Sequence, residues 1–183
     1  MPLRSSGSLQ RLRQLPLSNS YTYPTDASHR RLSRGFTGVN DHRGIDIIGA
    51  AGTPIYAFAD GIVAFRQDYN ANIYPNGDSN SMQSMGNLLC INHYNPDTSI
   101  AAGSYVQTVY MHMSSIAVSQ GATVKKGQVI GYIGNTGYSS GAHLHFNIGV
   151  GSRDSMKPGY SGYTSMGSIG VIDPLRYLPG YYW

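Results

Sequence analysis

The chain has 183 residues, a length that suits one domain with its own hydrophobic core. Apolar residues make up 40% and charged residues 12%, about half the ~25% usual in soluble domains; with 23 Gly and 15 Tyr this points to an all-β, loop-rich protein and excludes a disordered one. The net charge of +4 favours anionic polymers such as cell wall, but no stretch joins basic residues to aromatics as a single-strand binder needs, so no nucleic-acid partner is expected.

Residues 1–34 form a basic lead-in, with Arg4, Arg11, Arg13, Arg30, Arg31 and Arg34, and a stretch from Leu9 to Leu17 long enough for one or two helical turns. The N-terminus lacks the apolar core of a secretory signal, and no run reaches the ~18–20 apolar residues of a membrane span. Export would then use a signal already removed, a larger parent protein, a phage particle or host lysis. From residue 35 the chain reads as strands. Ala57 to Phe65 holds two short runs joined around Asp60-Gly61, a turn dipeptide. Residues 66–86 are aperiodic and rich in turn formers, which predicts a long loop. Leu88 to Asn92 and Thr108 to Met113 are predicted strands. The lone cysteine, Cys90, excludes an intrachain disulfide and reads as a buried small hydrophobe. Val124 to Ile130 is a predicted hairpin with Lys125-Lys126-Gly127 at its tip. Tyr132 to Tyr138 leads through glycines into a strand from His143 to Val150. Residues 151–183 are a Tyr-rich extension; Tyr160, Tyr163, Tyr177, Tyr181, Tyr182 and Trp183 are expected to be packed or exposed rather than ligand-stacking.

Two segments carry chemistry. In Gly141-Ala142-His143-Leu144-His145-Phe146 strand alternation puts both imidazoles on one face and Leu144 and Phe146 on the other. Either histidine could be a metal ligand, the other an acid or base. In His42-Arg43-Gly44-Ile45-Asp46-Ile47, Asp46 faces away from its β-branched neighbours, and Gly44 would let the chain turn so that both polar side chains reach one point. A His/Asp/His set matches catalytic zinc sites with three protein ligands and a fourth place for water. By spacing alone His112, in Tyr110-Met111-His112-Met113, reads as a core or edge histidine. His93 begins a predicted loop, and neither it nor His29 is assigned a role.

The ordered blocks H-R-G-I-D-I, A-x-A-D-G-x-V, G-N-L-L-x-I-x-H, Y-M-H-M, V-K-K-G-Q-V-I-G-Y-I-G-N-T-G and H-L-H-F resemble the lysostaphin-type zinc endopeptidases of bacterial peptidoglycan. The resemblance covers residues 35–150, within a peptidase domain expected at 35–183. It implies a mainly antiparallel sheet of duplicated hybrid-motif type, crossed by a substrate groove with loops as walls. It implies one Zn²⁺ per chain, held by His42, Asp46 and His145, with His112 and His143 as catalytic histidines. The substrate would be the peptide of peptidoglycan, cut by a monomer at the cell wall, outside the cytoplasm or on a phage particle. Loop 66–86 would form one wall, with Tyr69 and Tyr74 as candidate substrate contacts. Many relatives carry Glu after H-L-H-F where this chain has Asn147. Some have a Tyr where this chain has Phe36, which donates no hydrogen bond, so oxyanion stabilisation would rest on zinc and histidines. Two rival readings are a biotinyl or lipoyl carrier, which the Lys125-Lys126-Gly127 tip does not fit, and a non-catalytic member of the same family, against which the complete ligand set speaks.

Overall fold

The structure is a computed structural model that describes residues 21–38, 41–94, 105–151, 170–178 and 180–183. Its strands are β1 (Leu32–Arg34), β2 (Ile45–Ile48), β3 (Pro54–Tyr56), β4 (Gly61–Gln67), β5 (Asn87–Tyr94), β6 (Tyr105–Met113), β7 (Ser115–Ile116), β8 (Thr123–Val124), β9 (Val129–Tyr132), β10 (His143–Gly151) and β11 (Gly170–Ile172). Helix is limited to 3₁₀ turns at Met82–Met85 and Pro174–Arg176 among the described residues. None is long and apolar enough to cross a membrane.

An 8-stranded sheet runs in the order β1-β2-β10-β6-β5-β4-β8, with β11 added to β10. A second, 3-stranded sheet runs β3-β9-β7. Every strand pair is antiparallel. The all-β, antiparallel expectation therefore holds. The main core lies between the sheets: Ile45, Ile47, Leu89, Ile91, Tyr110, Leu144 and Phe146 meet Ile55, Ile116, Ile130 and Ile133. A smaller cluster on the other face of the large sheet joins Leu88, Cys90 and Val109 to Met82 and Met85 of the loop. Cys90 is buried, as expected of a small hydrophobe.

Several sequence expectations shift. Ala57-Phe58-Ala59 is buried but not a strand; the strand lies just before it, at β3, because Pro54–Tyr56 pairs with β9 while Ala57 N–H bonds Gln128 in the adjoining turn. The turn at Lys126-Gly127 exists, but its arms do not pair with each other. β8 joins β4 in the large sheet and β9 joins β3 and β7 in the small one. Asp60 accepts hydrogen bonds from Lys126 N (2.8 Å) and Lys125 Nζ (3.1 Å) and so fixes this divergence.

The described end of the basic lead-in packs with the sheets. Leu32–Arg34 pairs with β2, and Tyr21 and Tyr23 pack on the main core, because apolar positions in this basic segment find sheet and core partners. The stretch Leu9–Leu17, together with Tyr160 and Tyr163, lies outside the described residues. At the C-terminus Tyr177 packs edge-on against Tyr21, and the Tyr181 hydroxyl lies 2.8 Å from Thr25 Oγ1. Tyr182 and Trp183 are exposed. Phe36 packs against the main core.

His93 is not at a loop start. It is fully buried inside β5, with Nδ1 donating to Asp60 O (2.9 Å) and Nε2 at 2.8 Å from the Thr108 hydroxyl. The Tyr110 hydroxyl, 3.1 Å from Thr108, accepts from Phe58 N and completes the chain. These partners hold a neutral ring, and burial pushes its pKa down to about 4.

Candidate metal centre

Three adjacent strands carry the site. β10 lies between β2 and β6, with His145 opposite Asp46 on one side and Met111 on the other. Ile45, Ile47, Leu144 and Phe146 fill the core, so alternation turns Asp46, His143 and His145 to the opposite face. His42 precedes β2, in a loop closed on itself. Its N–H donates to Thr37 Oγ1 (3.0 Å) and its carbonyl accepts from Thr37 N (3.0 Å).

Gly44 acts differently from the sequence expectation. It does not adopt a positive φ. It is needed for close approach: a Cβ there would stand 2.4 Å from Phe146 O and 2.9 Å from His145 Nε2.

His112 reaches the same face by a break in alternation. Tyr110 and Met113 both point into the main core although they are three residues apart. Between them His112 has φ 61°, a left-handed conformation that few side chains adopt. The irregularity swings His112 out of the core register to the side of Met111. Strain of this kind gathers at functional sites, where surrounding structure enforces it.

The donor atoms converge. His42 Nε2 lies 3.1 Å from Asp46 Oδ1 and 3.0 Å from His145 Nδ1, and His145 Nδ1 lies 2.8 Å from Asp46 Oδ1. One atom from each of these residues falls within 4.8 Å of the others, a group able to hold a metal ion. His112 and His143 stand beside them, their rings 4.7 Å apart, with His143 Nε2 3.7 Å from Asp46 Oδ1. Backbone carbonyls orient three of the rings. Gly35 O accepts from His42 Nδ1 (2.7 Å), Thr136 O from His112 Nδ1 (2.8 Å) and Gly141 O from His143 Nδ1 (2.8 Å). Each then presents Nε2 as a lone pair.

The electrostatics favour an ionised Asp46 beside neutral His112 and His145 rings. Burial works to raise the Asp46 pKa, but the hydrogen bond from His145, with the His42 ring close by, outweighs it and holds the carboxyl well below the usual range. Burial, with His143 and His145 nearby, pushes His112 down to about 3. Burial also lowers His145, against the pull of Asp46. An ionised carboxylate among neutral imidazoles is the protonation state that metal binding requires.

The five residues line a cleft of about 420 Å³. Tyr74, Tyr138, Ser139, Ser140, Ser33 and Arg34 complete its lining. Tyr74 and Tyr138 pack edge to face at 5.2 Å, and Asn72 Nδ2 ties the Tyr74 loop to Asn135 O (2.6 Å) and Ser139 O (2.9 Å). Of the two sequence candidates for substrate contact, Tyr74 lines the cleft and Tyr69 does not. Sequence reasoning missed Arg34 and Tyr138. It also gave no role to Asn147, which continues the His143, His145 alternation onto the same face; that spacing was the available signal.

Comparisons with known proteins identify relatives of the chain. A family model described as peptidase family M23 matches residues 40–158. The chain is 30% identical over 151 residues to the peptidoglycan DD-endopeptidase ShyA of Vibrio cholerae, covering 82% of this chain and 30% of ShyA. It is 33% identical over 112 residues to the DD-carboxypeptidase/endopeptidase Mpg of Neisseria meningitidis, covering 61% and 21%. The chain thus spans less than a third of the length of either relative. Among solved structures, a zinc-containing peptidase from Vibrio cholerae aligns with TM-score 0.56 and 29% identity over 72% of this chain and 37% of that one. Lysostaphin from Staphylococcus simulans aligns with TM-score 0.54 and 25% identity over 86% and 53%. The match across the segment that carries all five cleft residues shows that the chain belongs to peptidase family M23.

Proposed function

We propose that the chain is a zinc-dependent endopeptidase that hydrolyses peptide bonds in the stem or cross-bridge of bacterial peptidoglycan. The observation that carries this is the convergence of His42 Nε2, Asp46 Oδ1 and His145 Nδ1 beside two further histidines in a chain of this family. Zinc bonds of about 2.0–2.1 Å at tetrahedral angles put donor atoms about 3.3–3.4 Å apart. The observed 2.8–3.1 Å needs only a small opening. Moreover, the His42 Nδ1–H is committed to Gly35, so its bare Nε2 faces a carboxylate. Lone pairs aimed at one another in this way fit a shared cation.

When bound, zinc supplies a Lewis acid that lowers the pKa of water toward ~7 and polarises a carbonyl. His112 and His143 present Nε2 lone pairs at the rim. One takes the proton of the attacking water; the charged ring then donates to the oxyanion or to the leaving amine. The face of β10 that carries His143 and His145 and the Tyr74–Tyr138 wall hold the peptide across these groups. The enzyme acts as a monomer at the cell wall, with one zinc per chain.

Elemental analysis and the clearing of purified cell walls test the reading. His42→Ala, Asp46→Ala and His145→Ala should lose zinc and activity together. His112→Ala and His143→Ala should keep zinc and lose about 10²–10⁴-fold in turnover. Zinc-loaded protein that leaves walls from several bacteria intact would refute the endopeptidase reading. A zinc-bound His112→Ala enzyme of undiminished rate would remove His112 from the mechanism. Mass spectrometry of released muropeptides would identify the bond.

A further inference from the structure

Three of the four cleft histidines have Nδ1 bonded to a backbone carbonyl, at Gly35, Thr136 and Gly141. His145 is built the other way round. Its Nδ1 faces Asp46 and His42, so its outer nitrogen is Nε2. The polar group at that nitrogen is the Asn147 side chain, with Nδ2 at 3.5 Å. Asn147 is 1% exposed, and its Oδ1 has no hydrogen-bond partner among the described residues. Gly44 presses on both groups from one side: a Cβ there would lie 2.9 Å from Asn147 Cβ and 2.9 Å from His145 Nε2.

An amide has a donor end and an acceptor end, which exchange by a half-turn about Cβ–Cγ. With Nδ2 toward the ring it donates to an Nε2 lone pair, and the ring proton sits on Nδ1, toward Asp46. With Oδ1 toward the ring it accepts from Nε2–H, and Nδ1 is left bare. In this structure Nδ2 is the end turned toward the ring. The second arrangement is the one a metal ligand needs, because ligating histidines donate their other N–H to an acceptor. We propose that Asn147 is a positioning residue that decides which nitrogen of His145 carries the proton, and that metal uptake accompanies a half-turn of its amide. The turn brings the partnerless Oδ1 onto Nε2–H, while the ring keeps one proton throughout. The proposal rests on the zinc reading above.

The test uses the full chain, zinc with a competing chelator, and ¹⁵N ring shifts of the metal-free protein. Asn147→Ala should weaken zinc binding by about 10–100-fold. Asn147→Asp keeps an acceptor and should retain wild-type affinity or exceed it. Without metal, the wild-type ring should carry its proton on Nδ1. The Asn147→Asp ring should carry a proton on Nε2 as well, because a carboxylate then accepts at each of its nitrogens. A residue that merely fills space would lower the melting temperature without moving the tautomer. The proposal fails if folded Asn147→Ala binds zinc as wild type does, or if the metal-free Asn147→Asp ring carries no proton on Nε2. Should the alanine variant not fold, the aspartate ring decides. Wild-type protein that takes up no zinc sinks both this proposal and the function it rests on; wild-type uptake with an unaffected alanine variant sinks this one alone.

Discussion

Replacing Gly44 by alanine tests how closely β2 and β10 must approach to form the site. The added Cβ would stand 2.4 Å from the Phe146 carbonyl oxygen, whereas ordinary contact begins at 3.4 Å. The atom it meets is backbone, so no flexible side chain can yield. The strands are paired at this point, Ile45 with Phe146 and Asp46 with His145, and must part or rotate by 1.0 Å. Overpacking of this kind costs roughly 1–3 kcal/mol. For a chain of this length each kcal/mol lowers the melting temperature by about 2–4 °C. The same shift separates His145 Nδ1 from Asp46 Oδ1, now 2.8 Å apart. Misplacement by about 1 Å can cost 10²-fold in turnover. Calorimetry with and without zinc, chelator competition and wall clearing read the three effects. Gly170→Ala is the control, since its Cβ would meet only Val150 O at 3.6 Å. If Gly44→Ala melts and binds zinc as wild type does, or if Gly170→Ala is equally harmed, close approach is not the reason for the glycine.

Other outcomes follow from residues beyond the donors. His93 falls from 6.5 unfolded to about 4 folded, so the unfolded chain binds the extra proton between those values. Its contribution is fully present above pH 6.5 and is lost as pH falls toward 4, about 3 kcal/mol in all. Denaturant midpoints at pH 7 and pH 4.5 should show a shallower acid loss in His93→Gln; equal slopes would refute the assignment. Asn87→Ala removes the acceptor of Tyr69 N–H (2.7 Å) and one of the donors to Met113 O, beside the left-handed His112. It should cost about 1–3 kcal/mol and speed hydrogen exchange at Tyr69. Tyr74→Ala removes an exposed aromatic from the cleft wall and should raise KM about 2–10-fold with zinc content unchanged, the scale of one aromatic contact; an unaltered KM would move substrate binding to another wall.

What the sequence revealed followed period two. Ile45, Ile47, Leu144 and Phe146 mark one face of their strands, and that alone turns Asp46, His143 and His145 to the other. The same rule misplaces His112, because alternation would put it in the core with Tyr110; the left-handed residue that changes the register leaves no periodic trace. His93 was hidden by the turn formers that follow it, although its ring is satisfied inside β5. The Lys126-Gly127 turn was legible, but which sheet each arm joins depends on partners far away in sequence, at β3 and β4. Gly44 was correctly marked as necessary, for the wrong reason. A glycine that must turn and one that must admit a neighbour look alike in sequence.

That diverging turn divides the chemistry as well as the sheets. His42, Asp46 and His112 precede Lys125-Lys126-Gly127, and His143 and His145 follow it. Lys125 and Lys126 are exposed, within reach of a trypsin-like protease. A cut there would produce two pieces, neither holding a complete donor set. Restored wall-clearing activity on mixing them would then report reassembly of the two halves, making the turn a natural point at which to split the enzyme into a complementation pair.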